Sequence, residues 1–126
     1  MEKVRLLVQA KQLGRKSGQG FYAWQDGKVS RPPGHSPVPE DLADRLILSL
    51  VNECVACLRE GIVEDADLID AGVIFGTGFA PFRGGPLAYA RARGPAACIA
   101  RLEALAKRYG TRFRPDTGWQ GLRDTA

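Results

Sequence analysis

Apolar residues recur at helical spacing along most of the chain, and the interruptions are rich in glycine and proline. Val4, Leu7, Val8 and Leu13 stand among lysines and glutamines and predict an amphipathic helix over residues 2–13, ended by Gly14. Phe21-Tyr22-Ala23-Trp24, the pair Asp26-Gly27 and Val29 form the pattern of a short hairpin, whose aromatic residues are expected to pack on helices. Arg31 to Pro39 carries four prolines and reads as a linker or surface loop. The strongest helix signal covers residues 40–60. There Ala43, Leu46, Ile47, Leu50, Val51, Cys54, Cys57 and Leu58 step at three and four as one apolar stripe. Glu40, Asp41 and Asp44 sit at its positive end, and Gly61 takes the position after it that favours a left-handed residue.

A further helix is expected over residues 65–75, with Asp65 as N-cap, Gly76 as stop, and a face of Ile69, Gly72, Val73 and Phe75. Gly72, lacking a side chain, suggests close helix contact there. Gly76 to Gly85 reads as a bent loop anchored by Phe79 and Phe82. Pro86 then opens a helix to about Arg93, and Gly94-Pro95 opens another to about Tyr109, with Ile99, Leu102, Leu105, Ala106 and Tyr109 on one face. Residues 111–126 are polar and rich in turn formers, and are expected to form a loosely held tail. No short internal repeat interrupts this mainly helical reading.

Composition excludes several classes. With 126 residues, 44% apolar and 25% charged, the chain has the make-up of an ordinary globular domain and can bury a core without staples. No apolar run approaches the roughly 20 residues of a membrane helix, and the N-terminus lacks the apolar region of a secretory signal. Three cysteines, an odd number with no export signal, point to a reducing compartment, here the cytoplasm. The net charge of +4 is unevenly spread: residues 1–39 carry +5, residues 40–70 carry −7 and residues 71–126 carry +6. An acidic block between two basic ones argues against a continuous nucleic-acid stripe.

Candidate chemistry is sparse. The Gly14–Gly20 loop, with Arg15 and Lys16, could hold a phosphate, but its order is not that of a P-loop. Nor does it link a strand to a helix, so a tight helix-to-hairpin connection accounts for it better. Cys54 and Cys57 have the Cys-x-x-Cys spacing, yet zinc needs a second ligand pair, and a redox pair belongs at a helix N-terminus. Buried thiols acting as small apolar residues fit the stripe. His35, the sole histidine, falls in the proline loop as a solvated residue. Asp65, Asp67 and Asp70 do not match a calcium loop and read as a solvated helix start. Asn52, a poor helix former inside a helix, is expected to cap or cross-link a neighbouring loop. No catalytic set emerges.

Two stretches together resemble a known family. Leu13-Gly14-Arg15-Lys16-Ser17-Gly18-Gln19-Gly20-Phe21-Tyr22 resembles the junction motif of the 3-hydroxyacyl-CoA dehydrogenases. Arg45 to Pro86, with Val51-Asn52-Glu53, Glu60-Gly61, Asp67-Leu68-Ile69-Asp70 and Gly76-Thr77-Gly78-Phe79-Ala80-Pro81-Phe82-Arg83-Gly84-Gly85-Pro86, is similar to that family's C-terminal helical domain. The match is to the last domain of the multifunctional fatty-acid-oxidation α chain. The implied fold is mainly α, like the C-terminal domain of 6-phosphogluconate dehydrogenase. Residues 1–39 form a helix, junction, hairpin and linker, residues 40–110 the helical domain, and residues 111–126 a tail.

The implied activity of the parent enzyme is NAD-dependent oxidation of 3-hydroxyacyl-CoA to 3-oxoacyl-CoA in fatty-acid β-oxidation. Its catalytic and NAD-binding residues lie in a nucleotide-binding domain that no segment here matches, so no catalytic, cofactor-binding or metal residue is carried over. Where the catalytic helical copy has an Asn before the Arg of its long helix, this chain has Asp44 before Arg45. The resemblance therefore places it with the second, non-catalytic copy, a structural and docking module. Asn52, Gly72, Gly76, Gly78, Phe79, Pro81, Phe82, Gly85 and Pro86 are its structural and interface candidates. The implied partners are the nucleotide-binding domain, the first helical copy and, further off, a thiolase subunit, with acyl-CoA as the parent's substrate. A start at Met1 just before a junction motif is expected of an excised fragment or truncated product, and such a chain is expected to self-associate. The competing expectation is an anion-binding module for CoA phosphates or nucleic acid through Arg15, Lys16 and the C-terminal arginines. A free-standing enzyme using Asp44 as base is the third and weakest expectation.

Overall fold

The computed structural model describes residues 2–31, 34 and 37–124. It is mainly helical, with a two-stranded antiparallel hairpin near the N-terminus. The chain divides into two compact units between Pro37 and Val38. The expectation for His35 lies outside the described residues.

In the first unit, α1 spans Glu2–Gln9 and buries none of its residues. It stops short of the expected Leu13 because Lys11 turns into the left-handed region (φ 55°), and Gly14 follows with φ 104°. Strands β1 (Ala23–Gln25) and β2 (Lys28–Ser30) pair with Trp24 opposite Val29. Both turn residues, Asp26 (φ 49°) and Gly27 (φ 73°), take the positive φ values that a two-residue hairpin turn requires. Phe21 lines a groove with Val4, Leu7 and Val8 of α1, but Phe21 and Tyr22 remain at least half exposed. The expected packing of these aromatic residues is therefore only partial.

The second unit is built on α2 (Leu42–Arg59), α3 (Ala66–Thr77), α4 (Pro86–Arg93), α5 (Pro95–Tyr109) and α6 (Trp119–Asp124). Its centre is α4, which packs on α2, α3 and α5 and has Leu87 and Ala90 fully buried. Short α4 needs that setting, since an isolated eight-residue helix is marginal in water. Its boundaries follow the sequence: Pro86 at the first turn, Gly94 after the last, then Pro95 opening α5.

One expectation is corrected in α2 and one is met. The buried side is Leu48, Val51, Cys54 and Val55, not the whole expected stripe. Leu46 is 64% exposed and Ala43 is exposed. At 100° per residue, apolar side chains cover roughly 200° of this helix, and the core takes one side of that arc. At the far end the expected glycine cap is present as a Schellman motif. Gly61 (φ 67°) donates to Leu58 O at 3.1 Å, and Ile62 N donates to Cys57 O at 3.1 Å.

Residues 111–124 are not a loose tail. Phe113 is 2% exposed, Trp119 1% and Leu122 3%, and all three join the core of the second unit. The link is Asn52 in α2. Its Oδ1 accepts from Trp119 Nε1 (2.7 Å) and from Asp116 N (2.9 Å), and its Nδ2 donates to Arg114 O (3.1 Å). The expected cross-linking role of Asn52 is thus present, and its partner is the C-terminal segment.

A candidate docking face and the scaffold that presents it

The α3–α4 segment is fixed by a few specific contacts and leaves one apolar face uncovered. Asp65 begins α3 as expected, its carboxylate accepting from Asp67 N at 2.7 Å. Ile69 and Asp70 turn inward. Asp70 is 4% exposed, not solvated as expected: its carboxylate accepts from Leu87 N (2.6 Å) and Ala88 N (2.9 Å). A residue of α3 thereby satisfies the orphan N–H groups at the start of α4. Gly85 makes this possible, because a Cβ there would collide with the side chain of Asp70, and its φ is 109°.

The outward face of α3 carries Leu68 (62% exposed) and Phe75 (89% exposed). Gly72 and Gly76 are exposed with open space where a Cβ would stand. The close helix contact expected at Gly72 is therefore absent among the described residues. Gly76 does not stop the helix; Gly78 does, in the left-handed region (φ 75°) with its N–H on Ile74 O at 3.0 Å. Helix α3 runs on because an exposed glycine in a helix costs only about 1 kcal/mol relative to alanine.

The following loop is rigid at both ends and apolar at its tip. Pro81 starts a single 3-10 turn, Pro81–Arg83, and Pro86 is buried. Of the two expected anchors, Phe79 is half-buried, but Phe82 is 85% exposed with the Arg83 guanidinium 5.6 Å from its ring centre. Leu68, Phe75 and Phe82 are thus large apolar side chains on one short stretch of chain, each left mostly exposed.

A charged cluster ties the start of α2 to α4 and α5. Asp44 accepts from Arg93 Nη1 and Arg101 Nε, each at 2.6 Å. The Arg93 guanidinium, followed by Arg101, holds the Asp44 carboxyl below the usual carboxylate range despite partial burial. Asp41, 6% exposed, accepts from the Tyr109 hydroxyl at 2.6 Å, which raises the Tyr109 pKa. The Arg45 guanidinium stacks 4.3 Å from the Tyr109 ring centre. Asp44 is therefore engaged on both oxygens by arginines, a poor arrangement for a base.

The remaining candidates do little chemistry. Cys54 and Cys98 are buried free thiols, and desolvation pushes Cys54 up to about 11 and Cys98 upward. Among the described residues, no group of three His, Cys, Asp or Glu could hold a metal ion. In the Gly14–Gly20 loop the N–H groups of Gly14, Ser17, Gly18 and Gly20 all donate within residues 14–22. The Ser17 hydroxyl takes Leu13 N at 2.9 Å and gives its proton to Gln19 O at 2.8 Å. Gly20 is a glycine because a Cβ there would lie 2.7 Å from Gly14 Cα. Those four amides are thus used within the loop and are not aimed outward at a ligand.

Sequence reasoning missed Asp70, Leu48 and Trp119. Asp70 had a usable signal: an aspartate inside an apolar helix ahead of a Gly-Gly-Pro helix start needs donors, and that start has them.

No helix among the described residues is long and apolar enough to cross a membrane. No protein-family model matches the chain. It is 35% identical over 124 residues to the fatty acid oxidation complex subunit alpha of Vibrio cholerae, covering 90% of this chain and 18% of that protein. Against the same subunit of Vibrio vulnificus it is 36% identical over 115 residues, 83% of this chain and 16% of the relative. In Shewanella amazonensis the figures are 36% over 117 residues, 81% and 16%. The chain spans less than a fifth of the length of these relatives, and it is a homologue of one segment of the fatty acid oxidation complex subunit alpha.

Proposed function

We propose that the chain is the C-terminal helical module of a fatty-acid-oxidation α-type subunit, corresponding to the second, non-catalytic copy of the 3-hydroxyacyl-CoA dehydrogenase helical domain. It works in the cytoplasm as a docking element for the rest of that enzyme. The observation that carries this reading is the exposed pair Leu68 and Phe75, seven residues apart on one side of α3 beside the open Gly72 and Gly76, with Phe82 exposed on the loop that follows. Large apolar side chains held on a rigid frame and left at 62–89% exposure suit a surface that meets another protein domain. The occupant is the remainder of the parent, its nucleotide-binding domain and first helical copy, with a thiolase subunit a more distant partner.

In this reading NAD and acyl-CoA are handled by the parent. The glycine loop does not suit NAD, because the N–H groups of Gly14, Gly18 and Gly20 are spent on bonds within residues 14–22. The engagement of Asp44 by Arg93 and Arg101 supports a non-catalytic copy. The competing anion-binding reading through Arg15 and Lys16 has less support, because the N–H groups of all three loop glycines, Gly14, Gly18 and Gly20, donate within residues 14–22.

The test is reconstitution. The pure chain is mixed with an α subunit lacking this segment, and complex formation and NAD-dependent oxidation of a 3-hydroxyacyl-CoA are measured. A complex that Phe75→Asp abolishes, with no turnover by the chain alone, is expected. Turnover by the pure chain, or no complex at all, would overturn the proposal.

A further inference from the structure

A second surface feature of the 38–126 unit has ligand-like rather than protein-like chemistry. A groove of about 500 Å³ lies between the C-terminal half of α2, Arg91 of α4 and the start of α6. That size falls within the range of small-molecule sites. Its floor is purely aliphatic: Val55 (1% exposed), Leu58 and Leu122 (3% exposed), with no aromatic side chain in the lining. Thr117 and Gln120 add polar groups at the rim.

Two arginines reach the groove, and they are not equivalent. The Arg59 guanidinium is held by Asp116 at 2.8 and 3.0 Å and by Glu60 at 2.7 Å, so its charge is matched inside the protein. Arg91 is exposed and has no ion-pair partner among the residues whose side chains are described, which in α6 end at Leu122. One unmatched planar cation beside an aliphatic floor is complementary to one anionic head on an alkyl chain. The aliphatic floor suits an alkyl chain, and a neutral one would leave the guanidinium unused.

We propose that this groove binds an alkyl carboxylate, with the chain along Val55, Leu58 and Leu122 and the carboxylate on Arg91. The docking face of α3 plays no part in this site.

The probe is sodium decanoate below its micelle concentration, titrated into the isotope-labelled chain and followed by the methyl signals of Val55, Leu58 and Leu122. Saturable shifts confined to those methyls are expected. Arg91→Gln should weaken decanoate binding about tenfold, the loss of one charge-assisted contact, and leave 1-decanol binding unchanged. Gly121 lines the groove and has open space where a Cβ would stand, so Gly121→Leu should fill the groove and abolish binding without loss of thermal stability. Decyl phosphate distinguishes the head group: tighter binding than decanoate would overturn the carboxylate assignment. Equal affinity of decanoate for wild type and Arg91→Gln, or no saturable methyl shift, would overturn the site.

Discussion

Asp70 of α3 holds the first turn of α4: its Oδ1 lies 2.6 Å from Leu87 N while Oδ2 takes Ala88 N at 2.9 Å. This is an N-cap supplied from another helix, and it aligns the uncovered face of α3 with the buried centre of the second unit. The carboxylate also sits at the positive end of α4, which favours its charge.

Removing that carboxylate therefore strands two backbone donors in the core. Asp70→Ala should lower stability by about 3 kcal/mol, and Asp70→Asn, which keeps one acceptor, by about half as much. Gly85→Ala should lower it by at least about 2 kcal/mol, because the new methyl meets Asp70 in a backbone region that disfavours L residues. Urea unfolding followed by Trp119 fluorescence in a Trp24→Phe background checks all three.

Asn52 invites a similar experiment at the other end of the unit. Asn52→Ala removes acceptors for Trp119 Nε1 and Asp116 N and the donor to Arg114 O. A loss of about 2–3 kcal/mol is expected, since the donors of buried Trp119 and half-buried Asp116 are left without an acceptor. Trp119 emission should move to the red as the C-terminal segment loosens.

How much of this was legible in the sequence depended on whether the signal was local. The starts of α4 and α5 were readable because Gly-Pro junctions state a boundary within two residues. The end of α3 was not, because Gly76 and Gly78 are equivalent locally and only the left-handed turn at Gly78 separates them. Leu46 and Leu48 could not be ranked from periodicity, since both lie on one wide apolar arc and the choice is made by where α4 and α5 pack. Trp119 and Phe113 escaped because their segments are too short for a period to show. Asn52 was the sole local hint of them. For the candidate site, the glycines and phenylalanines stand out in the sequence as a group, but which of them face solvent is a tertiary property.

Acid should expose the ion pairs. Asp44 and Asp116 have folded-state pKa values below the ordinary 3.8, chiefly through hydrogen bonds from Arg93 and Arg59 respectively. A depressed carboxylate contributes stability that is complete above the unfolded value and is lost as pH falls through the folded one. The chain should therefore lose stability below about pH 4, and Asp44→Asn should flatten that acid limb while lowering stability near neutrality by about 1 kcal/mol. Urea midpoints between pH 2 and 7 test the slope; an unchanged limb in the variant would contradict the assignment.

The thiols should be silent in the folded chain. Cys54 and Cys98 are buried, and desolvation pushes Cys54 up to about 11 and Cys98 upward, which disfavours the reactive thiolate of both. Ellman's reagent should leave both unmodified without denaturant and count three thiols in concentrated urea. Rapid native labelling of Cys54 would mean that α2 opens locally.

Leu48 and Phe75 provide the sharpest contrast between the core and the exposed face of α3. Both are apolar residues on helices of the same unit, one 0% exposed and the other 89%. Leu48→Ala should cost about 2–5 kcal/mol through lost burial and a residual cavity, with no direct effect on association. Phe75→Ala should change stability by no more than about 0.5 kcal/mol, because almost none of its ring is removed from water by folding. The same substitution should weaken association with the truncated α subunit at least tenfold if the ring is a central contact, since such aromatic anchors carry about 2 kcal/mol or more of binding. Measuring unfolding and binding on the two variants separates the roles: a Phe75→Ala chain that is destabilised but still binds would place Phe75 in the fold and not in the interface.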